Sequence, residues 1–285
     1  MKPLIVLAWA LALPAIAMAS DHGPVFSYAT PVNSQREFSF DSGIFGRNGS
    51  RGTQFSTGSL FGYGVTPHLT VNAFLPATFS SGSLPESRMI ATGTWSAGAA
   101  WRFQHSVTTV GKRVESTASL SAVIPGPQPD SGILGQLHRA PGFATTLASG
   151  LASRSQYFWL GGGYTRYATA SHDRRPDTVS FSAVYGYRPP KLRRGYDQWD
   201  YRGFVEFTGE HTGNVVKTGL IVPSSSTTSL WLGPSVLAIF KNIAIEGGVQ
   251  GPVFRDVSES IYGRERIRFA INFSYLKFSA HTSAH

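Results

Sequence analysis

The stretch Glu265-Arg-Ile-Arg-Phe-Ala-Ile-Asn-Phe-Ser-Tyr-Leu-Lys-Phe278 decides how this chain is read. Ile267, Phe269, Ile271, Phe273 and Tyr275 fall on one parity, and Arg266, Arg268, Ala270, Asn272 and Ser274 on the other. Successive side chains of an extended chain point to opposite faces, so a period of two describes a strand with one apolar and one polar face. About eleven further segments repeat the pattern, with strands expected near 34–46, 53–65, 68–78, 91–103, 114–124, 143–152, 156–167, 178–188, 201–211, 229–240, 243–253 and 265–278. What remains to be decided is which solvent the apolar faces meet.

The first nineteen residues bear on that. Met1-Lys2-Pro3 is a short cationic start, Leu4 to Ala17 is apolar, and Ala17-Met18-Ala19 is a small-x-small cleavage site, the grammar of an export signal. The run is too short for a spanning helix of about 20 residues, and Pro14 interrupts it, so a transmembrane anchor is the weaker reading. The chain has no Cys, which excludes disulfides and a lipoprotein acylation site. Without residues 1–19, which hold one Lys and no acid, the net charge falls from +9 to +8.

Composition points the same way. Charged residues make up 14% of the chain against about 25% in ordinary soluble domains, while aromatics reach 13% and Gly numbers 31. No run of about 18 apolar residues follows Ala19. Few charges, many aromatics and a run of amphipathic strands imply a closed transmembrane barrel, which satisfies its backbone hydrogen bonds without water. The expectation is an all-β, antiparallel up-and-down barrel of about twelve strands in an outer membrane. Residues 1–19 form the signal peptide, 20–33 an N-terminal segment able to plug the lumen, 34–278 the barrel, and 279–285 a disordered tail.

Connection lengths support the barrel. Thr66-Pro67, Ser153 to Ser155 and Lys241-Asn242 are tight, whereas 79–90, 125–142, 168–177, 212–228 and 254–264 are long and polar, matching short periplasmic turns and larger extracellular loops. Two connections on the short side, 104–113 and 189–200, read as longer turns. The second is basic and Pro-rich, and with Tyr196 and Trp199 it also suits docking of an acidic periplasmic partner.

The alternation assigns faces. Leu69/Val71/Ala73/Leu75, Trp95/Ala97/Ala99/Trp101/Phe103, Val179/Phe181/Ala183/Tyr185/Tyr187 and Leu230/Leu232/Val236/Phe240 are expected to meet lipid. The candidate lumen-lining residues are Glu37, Asp41, Arg102, Glu115, Arg202, Glu206, Glu246, Gln250, Arg266 and Arg268, a mixed-sign set that hydrocarbon would not tolerate. Paired, they brace the wall; left in part unfilled, they form a polar track for a solute. Arg47, Arg51, Arg88, Arg139, Arg174 and Arg175 are expected in outer loops, where they would meet lipopolysaccharide phosphates.

Gly62-Tyr-Gly-Val-Thr-Pro-His-Leu-Thr-Val-Asn-Ala-Phe-Leu-Pro76 and Leu232-Gly-Pro-Ser-Val-Leu-Ala-Ile-Phe-Lys-Asn-Ile-Ala-Ile-Glu-Gly-Gly-Val-Gln-Gly-Pro-Val-Phe254 are strand-turn-strand units. They resemble hairpins of the MetA-pathway phenol-degradation family of outer-membrane transporters. The resemblance implies a barrel with a role in uptake of hydrophobic or aromatic compounds, and it brings no catalytic or ligand motif. Gly233-Pro234 and Gly251-Pro252 read as strand bends.

Rival classes find less support. A hydrolase would need a nucleophile beside a base; His138, His172 and His211 with Asp130, Asp173 and Glu210 make a carboxylate–His dyad conceivable, yet no strand holds a His-x-Ser pair, and the reading is non-enzymatic. His281 and His285, with His22, read as terminal residues rather than metal ligands, and no cofactor is expected. The cations are dispersed with no aromatic platform among them, which argues against nucleic acid. The function expected is a passive channel or uptake transporter for a small solute, with a non-transporting structural or binding barrel as the alternative and an outer-membrane hydrolase third.

Overall fold

The computed structural model describes residues 23–30, 32–80, 94–126, 132–195 and 197–277. The signal peptide, Pro31, Asp130, Arg88, Tyr196, Phe278 and the terminal His281 and His285 lie outside them, as does His22. Fourteen strands follow in order: β1 (Phe38–Gly49), β2 (Gly52–Thr66), β3 (Leu69–Ser80), β4 (Thr94–Thr109), β5 (Lys112–Pro125), β6 (Gly142–Ser153), β7 (Gln156–Tyr167), β8 (Thr178–Tyr187), β9 (Asp200–Thr212), β10 (Val216–Lys217), β11 (Leu220–Ile221), β12 (Thr227–Phe240), β13 (Ile243–Val257) and β14 (Glu265–Lys277). Twelve of them close into one antiparallel barrel, ordered β1-β14-β13-β12-β9-β8-β7-β6-β5-β4-β3-β2, while β10 and β11 form a two-stranded hairpin inside the β9–β12 connection. Closure pairs the first strand with the last, Phe40 opposite Tyr275 and Ile44 opposite Ile271, which leaves no open sheet edge.

The barrel is inverted relative to a soluble protein. Outward positions are large and apolar: Ile44, Trp101, Leu147, Leu160, Phe181, Val205, Val236 and Ile271 are all exposed. Inward positions are small and hydroxylated, with Ser96, Ser121, Ser182, Thr208, Ser235 and Ser274 buried. The alternation quoted at the start thus sorts itself with Phe273 and Tyr275 outside and Asn272 and Ser274 inside.

One end carries two-residue turns: Pro67-His68, Val110-Gly111, Arg154-Ser155 and Lys241-Asn242. Gly111 (φ 77°) and Lys241 (φ 54°) take the left-handed conformation that such hairpins require. The expected longer turn at 104–113 is therefore corrected. Strands β4 and β5 run on to Thr109 and Lys112 and turn at Val110-Gly111. The sequence hid this because residues 103–113 project past the wall and are exposed on both faces, so nothing imposes an alternation there. Residues 34–37, expected in the first strand, form a turn instead, with Arg36 at φ 65° and the Glu37 N–H bonded to the Ser34 carbonyl.

Candidate functional site

The interior of the barrel is occupied in part by described residues that precede β1. Val25 and Phe26 donate their backbone N–H groups to the Glu206 carboxylate at 2.9 and 2.8 Å, and Ser235 donates its hydroxyl to the same group. Phe26 packs with Val25, Phe45 and Ala270. The Tyr28 N–H reaches Ser182 at 2.8 Å, and its phenol lies 2.6 Å from the Ser180 hydroxyl. Thr30 accepts from the Trp159 indole at 3.1 Å, and its carbonyl accepts from Thr117 at 3.0 Å. Asn33 donates to Thr70 at 2.9 Å and to Ser39 at 2.8 Å. These partners lie on β1, β3, β5, β7, β8 and β9, on opposite sides of the barrel, so residues 23–30, 32 and 33 lie within the lumen and approach its short-turn rim.

Glycines make room for them. A Cβ on Gly161 or Gly163 would stand 2.4 Å from the Tyr28 Cβ or 2.2 Å from its hydroxyl, and one on Gly64 would stand 1.9 Å from the Ser34 carbonyl. A glycine inside a strand marks a place where another backbone comes close. Inward glycines on β2 and β7 were therefore the available sequence signal for a lumenal segment.

The candidate lumen residues gather into separate clusters. Arg268 lies between Glu210 (3.3 Å) and Glu265 (2.7 Å), with its guanidinium 4.1 Å from the centre of the Trp231 ring. Arg47 joins from β1, 3.4 Å from Glu265 and 2.6 Å from the Gln54 amide oxygen. Gln250 accepts from Thr208 at 3.2 Å and donates to the Glu206 carbonyl at 3.3 Å. Near the short-turn end, Arg102 meets Glu115 at 3.2 Å, and His105 and Arg113 approach the same carboxylate at 3.6 and 3.3 Å. Arg202 and Arg188 share Asp200 at 3.3 and 2.6 Å, and Arg202 overlies the Tyr157 ring at 5.3 Å. Asp41 and Glu246 are likewise buried on inward positions, and Glu37, buried at the entry turn, accepts the Ser34 N–H at 2.6 Å. Opposite charges at these distances offset the desolvation each would suffer alone.

Arg266 stands apart: it is exposed. The β1–β14 register steps from Asn48 opposite Ile267 to Gly49 opposite Glu265, which leaves Arg266 as the extra residue of a bulge and turns Glu265 inward in its place. Arg47, expected in an outer loop, is fully buried on β1, on the same parity as Asp41. A strand one residue longer in the reading would have found it. Arg175, also expected outside, is buried with its guanidinium 4.8 Å from the Tyr167 ring centre.

At the long-loop end, three connections meet on one carboxylate. Asp173 accepts the Thr218 N–H at 2.6 Å, the His138 N–H at 2.9 Å and the His138 Nδ1 at 2.8 Å. The two backbone N–H groups, with the imidazole, hold the Asp173 carboxyl down at about 2. Leu134, Leu137 and Val215 pack as a small apolar cluster beside it. Among the described residues His138–Asp173 is the candidate dyad that comes together: His211 bonds Thr228 at 2.9 Å, and Glu210 faces the lumen. Among the described residues no hydroxyl is bonded to the His138 ring, and no group of three His, Asp or Glu is placed to hold a metal.

An antiparallel barrel closed over twelve strands, apolar outside and polar within, has the architecture of outer-membrane β-barrels. Solved structures agree on the fold. An outer-membrane channel from Pseudomonas putida F1 superposes with a TM-score of 0.59 at 12% identity, covering 90% of this chain and all of that one. The NanC porin superposes with a TM-score of 0.51 at 10% identity, covering 84% of this chain and all of that one. No protein-family model and no curated protein matches the sequence.

Proposed function

We propose that this protein is an outer-membrane barrel that conducts a small solute passively, of hydrophobic or aromatic type, and that residues 23–33 occlude its lumen at rest. The observation that carries the reading is the inversion of the wall: Phe181 and Val236 are exposed while Glu206, Arg268 and Ser274 are buried. Water would not stabilise such an outer face, and hydrocarbon would; a polar interior in turn suits passage of a solute once the segment moves. The short-turn end is then periplasmic and the Asp173 end extracellular, with residues 1–19 the export signal. Outside the membrane, Arg139 and Arg174 sit on long connections and Arg51 on the two-residue β1–β2 turn at the same end, placed to suit lipopolysaccharide phosphates. The solute class rests on the likeness of the hairpins 62–76 and 232–254 to the MetA-pathway phenol-degradation family.

A non-transporting binding or structural barrel is the second reading, favoured by the same segment because it fills the lumen. Uptake of a phenol-sized aromatic into proteoliposomes separates them. Transport predicts uptake faster than in protein-free vesicles of the same lipid, whereas equal rates would sink it.

A further inference from the structure

The one long connection at the short-turn end leaves β8 at Arg188 and returns to β9 through Trp199, which packs on outward rings of the wall. Trp199 stacks on Phe240 at 5.3 Å and on Tyr201 at 6.5 Å, with interplanar angles of 28° and 25°. Tyr201 is an outward, exposed position of β9, and Phe240 ends β12 on its outward parity. Tyr187, outward and exposed, closes β8 just where the connection departs. The loop therefore leaves and rejoins the wall inside a collar of four aromatic rings at the foot of the apolar belt.

Cations follow the collar. Lys191 and Arg194 are exposed beside the half-buried Arg193, and Leu192 is exposed on the single turn Pro190–Leu192 between them. Lys241, on the neighbouring β12–β13 turn, places its ammonium 5.3 Å from the Phe240 ring centre and 3.7 Å from Asp197. Arg188 is bonded to Asp200 at 2.6 Å and is not counted among them. Within 188–199 the sole acid is Asp197.

We propose that this connection binds the anionic phospholipid headgroups of the leaflet it faces. The site rests on the reading that the apolar belt is immersed in a bilayer. Trp and Tyr rings settle at the boundary between hydrocarbon and headgroups, so the stacked rings fix the depth of the loop. Its cations then lie at phosphate level, where each Lys or Arg is drawn to an anionic surface. An acidic protein groove would attract the same charges. The lipid is favoured because Trp199 is committed to the lipid-facing wall rather than to the aqueous side.

The test uses the full-length mature protein, purified in detergent and offered equimolar phosphatidylglycerol and phosphatidylcholine, with retained lipid counted by native mass spectrometry. A variant carrying Lys191→Ala, Arg193→Ala and Arg194→Ala is compared, each protein first shown to keep the heat-modifiable gel mobility of a closed barrel. The native chain is expected to retain phosphatidylglycerol preferentially. The variant is expected to lose that preference by about a hundredfold, from three surface charges. Equal retention of both lipids by the native chain, or an unchanged preference in the variant, would overturn the headgroup site alone. Retention of neither lipid would overturn it together with the membrane reading. Polyglutamate binding without lipid preference would assign the loop to an acidic protein instead.

Discussion

Glu206 is the anchor of the lumenal segment, and removing its carboxylate should release that segment. It is fully buried and accepts two backbone N–H groups, from Val25 and Phe26, at 2.9 and 2.8 Å. A buried donor left without a partner costs about 1–3 kcal/mol, so stranding two in Glu206→Ala costs about 2–6 kcal/mol, of which about 3 kcal/mol is a low figure. At 1.4 kcal/mol per decade, the released population rises roughly a hundredfold. The chain has no Cys, so Ser27→Cys gives a single thiol beside the anchor, at a position 1% exposed. Its rate of modification by a membrane-impermeant maleimide reads the released fraction directly. The prediction is a rate about a hundredfold higher in the Glu206→Ala background and an intermediate one in Glu206→Gln, which keeps one acceptor oxygen. Rates within twofold of each other in all three backgrounds would refute the idea that this carboxylate seats the segment.

Other perturbations test neighbouring steps. Gly163→Leu, whose Cβ would lie 2.2 Å from the Tyr28 hydroxyl, should raise the same labelling rate without touching Glu206. Because the Asp173 carboxyl is held at about 2 against 3.8 for the free group, its contribution is fully present above about pH 4 and lost as pH falls through about 2. The Thr218 and His138 amides should therefore stay protected from hydrogen exchange at pH 4 and lose protection near pH 2, whereas Asp173→Ala should expose them at pH 6. On the outer wall, Leu147→Arg should destabilise the barrel by about 2–4 kcal/mol in urea unfolding from lipid vesicles if position 147 lies near the bilayer midplane. An effect below about 0.5 kcal/mol would place that face in water.

Lipid-facing positions were the most legible in the sequence, because a hydrocarbon solvent accepts little but apolar side chains and so imprints a strict period of two, as in Val179/Phe181/Ala183/Tyr185/Tyr187. The inner face was legible only in part. Where the chain fills its own lumen, inward residues become core-like, and Trp231, Leu237, Phe204 and Trp159 are buried there. In Leu230-Trp231-Leu232 both faces are apolar, so alternation assigns neither. Arg266 was misplaced for a local reason, since a bulge shifts parity by one residue and leaves no mark in composition. His138 and Asp173 are 35 residues apart, and only the folding of two connections onto a third joins them.

Conductance across a planar lipid bilayer tests the central claim most directly, comparing the mature chain with one lacking residues 20–33. A conduit closed by its own N-terminal segment predicts small or intermittent current from the intact protein and a steady, larger conductance from the shortened one. Insertion of both proteins with no current from either would contradict it.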